Sequence, residues 1–440
     1  MSLLDRIRNA PLSKFAGSAG LIVMSRMAGA LLTLVYTFLL ARVAPPEEVG
    51  TAFAALSTGL ILSVVSSLNI EMGSIRFLPL YLEHGRTAEA AGFVRSCRRV
   101  VLATCGVILI VGVPIVLLRS EWTGVDPYLI SLAVAPLAAN ARINSRHATA
   151  LGLVLQGTLP RLLIQPLLFA TVLMICTLQG ISLGAIEVMY MFFGSTLLTT
   201  VVQWRLIRHA MIFDKEAAPD YGPVREWLSA GVMLIPMLLM GEFMRDLIIL
   251  SGTLVLSGAA VAQLGISISL ISALSFALTA VDMTLSPHIA RALVQTNKRR
   301  TSRLLTLAAL SKLGLFAVGA PLLYVLVPYA IALMGNAYEG LQSQYLIFLC
   351  IPLAKAVFGP ANLVLNVSGK RRELLWGTVV GLPLLIGAVA LAGQLYGLLG
   401  ATIGASAAMV AYYGIQSAAC HLFTGINPTV LSFVLYRRGA

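Results

Sequence analysis

Three cations lie where the chain is otherwise apolar: Arg26, Arg245 and Lys355. An ionisable group inside an apolar span is costly, so it faces a cavity or a partner, and a cation there can bind an anion or neutralise an acid. Arg26 shares one helical face with Gly29, Thr33, Tyr36 and Thr37. That face reads either as a cavity wall with a cation roughly 15 Å deep or as a small-residue packing seam from which Arg26 snorkels. Glu242 and Arg245 stand three apart and can pair on one helix, which leaves Asp246 for coupling or gating. Pro352, Lys355, Gly359, Asn362 and Asn366 form a second stripe, answered earlier in the chain by Pro136, Asn140 and Asn144. Proline inside a span frees backbone carbonyls, a defect tolerated where polar groups or water satisfy them, so these stripes are expected to line a cavity. Glu71, Glu187 and Asp282 fall near span ends, where a solvated interfacial position is the simpler reading. Asp282 joins Glu242 and Asp246 as the intramembrane carboxylates open to ion coupling or gating.

The elements that carry these residues follow from composition. The chain of 440 residues is 58% hydrophobic and 11% charged, with a mean hydropathy of +0.89, against roughly 25% charged in soluble domains. Its apolar runs reach the ~20 residues that a membrane-crossing helix needs. Twelve spans are expected, approximately 17–43, 51–75, 100–118, 128–149, 162–179, 182–204, 228–250, 257–285, 304–328, 341–366, 374–394 and 398–422. The second half also repeats the first. Tyr128-Leu129-Ile130, Gly152 and Pro166-Leu167-Leu168 recur at one constant offset as Tyr345-Leu346-Ile347, Gly369 and Pro383-Leu384-Leu385. Upstream, Ser18-Ala19-Gly20 answers Ser229-Ala230-Gly231. The expected fold is therefore all-α and polytopic, with about twelve transmembrane helices in two six-helix lobes. Six spans per lobe is an even number, so the lobes run the same way and are related by a pseudo-twofold axis along the membrane normal. The divisions are an interfacial segment over 1–16, lobes over 17–204 and 228–422, a polar linker over 205–227 and a tail over 423–440.

Charge orients the chain. Of 31 Lys and Arg, Arg42 and Arg119 fall on one side, and Arg26, Arg245 and Lys355 fall inside spans. The rest, Arg142 and Lys312 among them, collect on the other side, which is the cytoplasmic one by the positive-inside rule and carries both termini. The net charge of +13 thus reflects topology and attraction to anionic membrane lipids, and it gives a nucleic-acid partner no support. The five Cys are scattered, and the five His lack ligand-spaced partners, so neither a disulfide framework nor a metal site is expected. Ser368-Gly369-Lys370 lacks the upstream glycine of a phosphate-binding loop. No enzyme chemistry and no cofactor are expected.

The run Leu39-Leu40-Ala41-Arg42-Val43-Ala44-Pro45-Pro46-Glu47-Glu48-Val49-Gly50 resembles the first periplasmic turn of bacterial polysaccharide (O-unit type) flippases, which belong to the multidrug/oligosaccharidyl-lipid/polysaccharide exporter superfamily. A second resemblance runs from Gly335-Asn336-Ala337-Tyr338 through Asn362, Asn366, Ser368 and Gly369 to Tyr396-Gly397-Leu398-Leu399-Gly400-Ala401. The resemblance implies two six-helix lobes and flipping of undecaprenyl-pyrophosphate-linked oligosaccharide to the periplasmic leaflet of the inner membrane, for cell-surface polysaccharide or lipopolysaccharide assembly. Its implied partners are that lipid-linked oligosaccharide and a polysaccharide polymerase with its chain-length machinery. Arg26, Arg245 and Lys355 become head-group ligands, and Thr33, Thr37, Asn140, Asn144, Asn362 and Asn366 become polar cavity lining. Two alternatives stand beside it: a cation-coupled multidrug exporter of the same superfamily, and a non-transporting scaffold of an envelope assembly.

Overall fold

In hydrocarbon every backbone N–H and C=O must be satisfied within its own segment, so long apolar runs fold as helices. A computed structural model describes residues 12–119, 126–211, 218–338 and 340–432, in which helix is the dominant element. Most of the interfacial segment expected over 1–16 lies outside the described residues, as do Asp214, Lys215 and Glu216 of the linker and the end of the tail. The chain divides into two compact units, Met1–Leu238 and Leu239–Ala440.

The first unit contains α1 (Leu12–Val43), α2 (Pro46–Ser67), a 3-10 turn (Ile70–Gly73), α3 (Ser74–Glu83), α4 (Thr87–Arg119) and α5 (Pro127–Ala150). It continues through α6 (Val154–Leu159), a π-turn (Pro160–Ile164), α7 (Gln165–Gln179), α8 (Ala185–Ile207) and α9 (Val224–Val232). The unit boundary falls inside α10 (Ile235–Glu242). The second unit continues with α11 (Met244–Gly252), α12 (Gly258–Val294), α13 (Lys298–Met334), α14 (Leu341–Phe348), α15 (Cys350–Phe358), α16 (Ala361–Val367) and α17 (Arg371–Thr424).

Nine of the described helices are long and apolar enough to cross a membrane, or ten if the bent pair α9–α10 is one span. α5 has the length, at 24 residues, but carries Asn140, Arg142, Asn144 and Arg146. α17 is two helices joined at Tyr396 (φ −129°, ψ 16°) and Gly397 (φ 60°, ψ −143°). Each of the twelve expected spans therefore has helix where it was expected, in a multi-pass membrane protein.

Two spans that read as continuous are broken. The seventh is cut between α9 and α10, which meet at 40°, because Pro236 has no N–H to offer the Val232 carbonyl. It is cut again at Phe243 (φ −113°, ψ 19°). Glu242 thus ends one helix while Arg245 and Asp246 open the next. The tenth is cut at Gly359 (φ 69°, ψ −171°), where Pro360 denies the Ala356 carbonyl its usual donor.

The internal repeat reappears as helix stops. Gly152 (φ 78°) and Gly369 (φ 75°) both end a helix in left-handed geometry, as do Gly180 (φ 68°) and Gly397 (φ 60°) at the same offset. The stop hydrogen bonds repeat too: Leu153 N–H to Ala148 O at 2.8 Å matches Lys370 N–H to Leu365 O at 2.9 Å. Upstream, Arg86 N–H to Tyr81 O at 2.8 Å matches Asn297 N–H to Ala292 O at 3.1 Å, at the offset that relates Ser18 to Ser229. A left-handed residue costs a side chain strain that glycine escapes, which explains why glycine survives at these stops.

The two arms of α17 pack against each other with almost no room. A Cβ on Gly400 would lie 1.9 Å from the Ala392 carbonyl oxygen, and one on Gly404 would lie 2.3 Å from that of Ala388. Gly400→Ala must push two backbones apart and is expected to cost about 1–3 kcal/mol, as overpacking does. Thermal unfolding in detergent would register this, and an unchanged midpoint would refute the packing assignment.

The end of the first unit near α3 and α9 is an aromatic core of Phe77, Tyr81, Phe93 and Trp227. Trp227 Nε1–H donates to the Tyr81 hydroxyl at 2.9 Å. Burial pushes the Tyr81 phenol above its ordinary pKa. Nearby, the chain leaves α2 through two left-handed residues, Leu68 and Asn69. Asn69 then binds in two directions, donating to the Gly231 carbonyl at 3.2 Å and accepting from Arg142 Nη2 at 3.2 Å. Arg142 also pairs with Glu71. Two expectations are corrected here. Glu71 is not solvated but 0% exposed, and Arg142, counted with the charge of the cytoplasmic side, is not solvated there but 7% exposed inside α5. Two charges that are close to span ends along the sequence are driven inward because each neutralises the other.

Candidate functional site

The second unit holds a cavity of about 200 Å³ on whose wall three of the candidate residues meet: Lys355, Asp282 and Asn362. Ser286, Tyr413 and Gln416 complete its polar surface. α12 supplies Thr279, Asp282 and Ser286 from one helical face, α15 supplies Lys355, and the second arm of α17 supplies Tyr413 and Gln416.

Lys312, which the charge pattern counts with the cytoplasmic side, governs the electrostatics. It lies within α13, is 0% exposed, and sets Nζ 3.0 Å from Asp282 Oδ1, an approach that is Coulombic and not a well-aligned hydrogen bond. The Asp282 side chain is 21% exposed and belongs to this pair, which corrects its reading as a solvated interfacial residue. Lys312 Nζ also donates to the Lys355 carbonyl at 3.2 Å. That carbonyl sits in the last turn of α15, where helical carbonyls lack partners and the helix dipole favours a cation.

Lys355 Nζ donates to Thr279 Oγ1 at 2.7 Å, and the Thr279 hydroxyl in turn donates a hydrogen bond to the Ser275 carbonyl at 2.8 Å. Among the described residues no carboxylate lies within 4.0 Å of the Lys355 ammonium. One acid thus faces two cations, and the trio carries a net positive charge beside an open volume. Gln416, 1% exposed, donates to the Leu374 carbonyl and to Thr378 Oγ1, both at 3.2 Å, and keeps its Oε1 without a donor. The arrangement can hold an anionic oxygen at Lys355 and a hydroxyl at Gln416.

The remaining candidates lie elsewhere. Asn366 is exposed and accepts from Arg371 Nε at 3.1 Å, away from the cavity wall. Asp246 is 7% exposed in the first turn of α11, Arg245 is half-buried and Glu242 is exposed. In the first unit, Gly29 packs on the Leu162 carbonyl and Tyr36 stands edge-on to Phe169 at 5.1 Å. Thr33 and Thr37 donate their hydroxyls to their own helix, at Gly29 O (2.9 Å) and Thr33 O (2.8 Å), and Thr37 is fully buried. This face of α1 therefore packs against the fifth span along most of its length. Arg26 is half-buried on it, with Nε buried and no hydrogen bond to that atom among the described residues. Asn140 donates back to the Pro136 carbonyl at 2.9 Å, and Asn144 is buried.

Ser286, Tyr413 and Gln416 on the cavity wall, and Lys312 and Thr279 bonded to its charged residues from behind, are absent from the candidates that the sequence offers. The spacing of Thr279, Asp282 and Ser286 on one face was a readable signal, whereas nothing in the sequence sets the depth of Lys312.

Sequence comparison matches the chain to no family model and to no curated protein. Structural comparison does find likeness. The inward-facing conformation of a multidrug resistance MATE family transporter of the MOP superfamily aligns at a TM-score of 0.69 with 13% identity, over 92% of this chain and 98% of that one. A point variant of the Vibrio cholerae MATE transporter VcmN aligns at 0.61 with 18% identity, over 94% and 98%. The outward-facing conformation of a multidrug resistance MATE family transporter aligns at 0.57 with 13% identity, over 92% and 94%. This chain has the fold of the MATE transporters along nearly its whole length.

Proposed function

We propose that this protein is a membrane transporter of the bacterial inner membrane, working by alternating access with both termini in the cytoplasm. Its substrate is an amphipathic molecule with an anionic head group, of the kind found in lipid-linked oligosaccharides. The observation that carries this reading is the net positive charge of the Asp282–Lys312–Lys355 cluster beside a cavity. A polar, charged head group cannot cross hydrocarbon without such a wet, charge-bearing route. Similarity to a fold solved in inward-facing and outward-facing states supports the transport cycle.

A second reading is a cation-coupled exporter of small drug-like molecules. It is favoured by the similar solved structures, which are described as multidrug transporters. In that reading Asp282 is the coupling carboxylate, and the export of a cationic dye replaces lipid flipping.

Purified protein in vesicles decides between them. With labelled undecaprenyl-pyrophosphate-linked oligosaccharide, flipping is expected, and Lys355→Ala should slow it roughly 10- to 100-fold, the loss of one charge-assisted hydrogen bond of about 1.5–3 kcal/mol. Dye export without oligosaccharide flipping would establish the second reading. Flipping by Lys355→Ala at the wild-type rate would remove Lys355 from the head-group site.

A further inference from the structure

The break in the tenth span is covered by the chain's own last described segment. After Gly425 (φ 68°) ends α17, residues 426–432 turn back onto α15. Val430 N–H donates to the Val357 carbonyl at 3.1 Å, another of the carbonyls left over in the last turn of α15. Pro428 is buried, and its carbonyl lies where Gly359 has no side chain: a Cβ there would be 1.9 Å from that oxygen. The Ser432 and Ser302 hydroxyls meet at 2.9 Å, which ties the segment to the first turns of α13. The segment is shaped by its own side chains, since Thr429 N–H donates to Asn427 Oδ1 at 2.9 Å and Leu431 N–H to Thr429 Oγ1 at 3.3 Å. Cys420 Sγ holds its start, at 3.5 Å from the Ile426 carbonyl.

This strap grips the stretch that forms one wall of the cavity. Gly359, Pro360, Ala361, Asn362 and Leu363 line the cavity, and Gly359 is also the residue against which Pro428 sits. Gly359 needs positive φ and Pro360 lacks an N–H, so α15 and α16 share no helical hydrogen bond across Pro360. What fixes their mutual angle is packing and the strap. Serine hydroxyls and a single backbone hydrogen bond at the chain's last described turn are weak attachments, of the kind that open locally well before the whole protein unfolds.

We propose that residues 426–432 are a latch on the tenth span. Docked, they hold the α15–α16 break at one angle and the cavity wall in one shape; released, they let the span bend at Gly359–Pro360 and the wall move. The proposal is independent of which substrate the cavity takes.

Ser302→Cys with Ser432→Cys places two thiols where two hydroxyls now touch, within reach of a disulfide. Oxidation should close that bond, and hydrogen exchange is then compared between oxidised and reduced samples of the same protein. Reduction is expected to speed exchange at Val430 and also at residues 361–364 by about tenfold or more, because opening of the latch and bending of the span are one event. Acceleration at Val430 alone would make the strap a passive tail and overturn the proposal, as would equal rates throughout or failure of the disulfide to form. Ser432→Ala, which only deletes a hydrogen bond, should raise exchange at 361–364 in the same direction; no change there would also count against the latch. The readout requires no transport assay, so its failure is separable from failure of the proposed function.

Discussion

Arg142→Met is expected to destabilise the protein by about 3–5 kcal/mol, the usual result of stripping one partner from a buried ion pair. Glu71 is 0% exposed, and its carboxylate would remain in place with Ser63 and Asn69 nearby but without the guanidinium. The damage should spread beyond the pair. Asn69 accepts from Arg142 and donates to Gly231, so loss of the arginine also loosens the turn on which α9 rests. In detergent, the thermal midpoint of a unit of this size should fall by roughly 6–20 °C. Glu71→Gln together with Arg142→Met removes both charges, and it should recover a large part of the loss, since paired burial is often close to neutral in net energy. A single variant as stable as the parent would mean that the pair is solvated. Equal losses in the single and double variants would mean that shape, and not charge, is what the site requires.

Asp282→Asn tests the equivalent device in the second unit, where structure and function are entangled. The fully buried Lys312 ammonium would keep only the Lys355 carbonyl and a neutral amide. A cost of about 3–5 kcal/mol is expected again, and Asp282→Asn with Lys312→Met should restore most of it. Transport separates the roles. If Asp282 takes part in coupling or in setting the charge of the cavity, the double variant regains its thermal midpoint but not its flipping or export rate. Recovery of both would reduce the pair to a structural element and leave Lys355 as the working charge. Lys355 itself is tied to a neutral hydroxyl, Thr279 Oγ1, so the two lysines are predicted to differ in kind: Lys312 matters for folding and Lys355 for substrate.

Span ends are legible where the deciding property is local: the ends expected at 149, 366 and 394 fall just short of Gly152, Gly369 and Gly397, whose positive φ follows from the conformational freedom of a single residue. The prolines that the polar stripes single out, Pro136 and Pro352, lie within α5 and α15, and the breaks come at two others. Pro236 and Pro360 each interrupt a span that hydropathy alone draws as continuous. The charged residues fared worst. The positive-inside rule counts Arg142 and Lys312 with the charge of the cytoplasmic side. Each is instead buried against an acid far away in sequence, Glu71 and Asp282. The stripe of Thr33 and Thr37 had the periodicity of a cavity wall, but the hydroxyls are spent on their own helix's carbonyls.

Length and hydropathy of the apolar runs determined on their own that this is a multi-pass helical membrane protein with about twelve crossings, and the residues recurring at one offset divided it into two similar halves. The reason is that hydrocarbon leaves a backbone few other choices. Tertiary structure alone decided which polar side chains meet. A helical period assigns residues to faces but leaves each helix free to rotate and slide, and a shift of one residue turns a face by about 100°. Only packing removes that freedom. It placed Lys312 under the broken end of α15, Lys355 on the cavity wall, and the segment after Gly425 across Gly359.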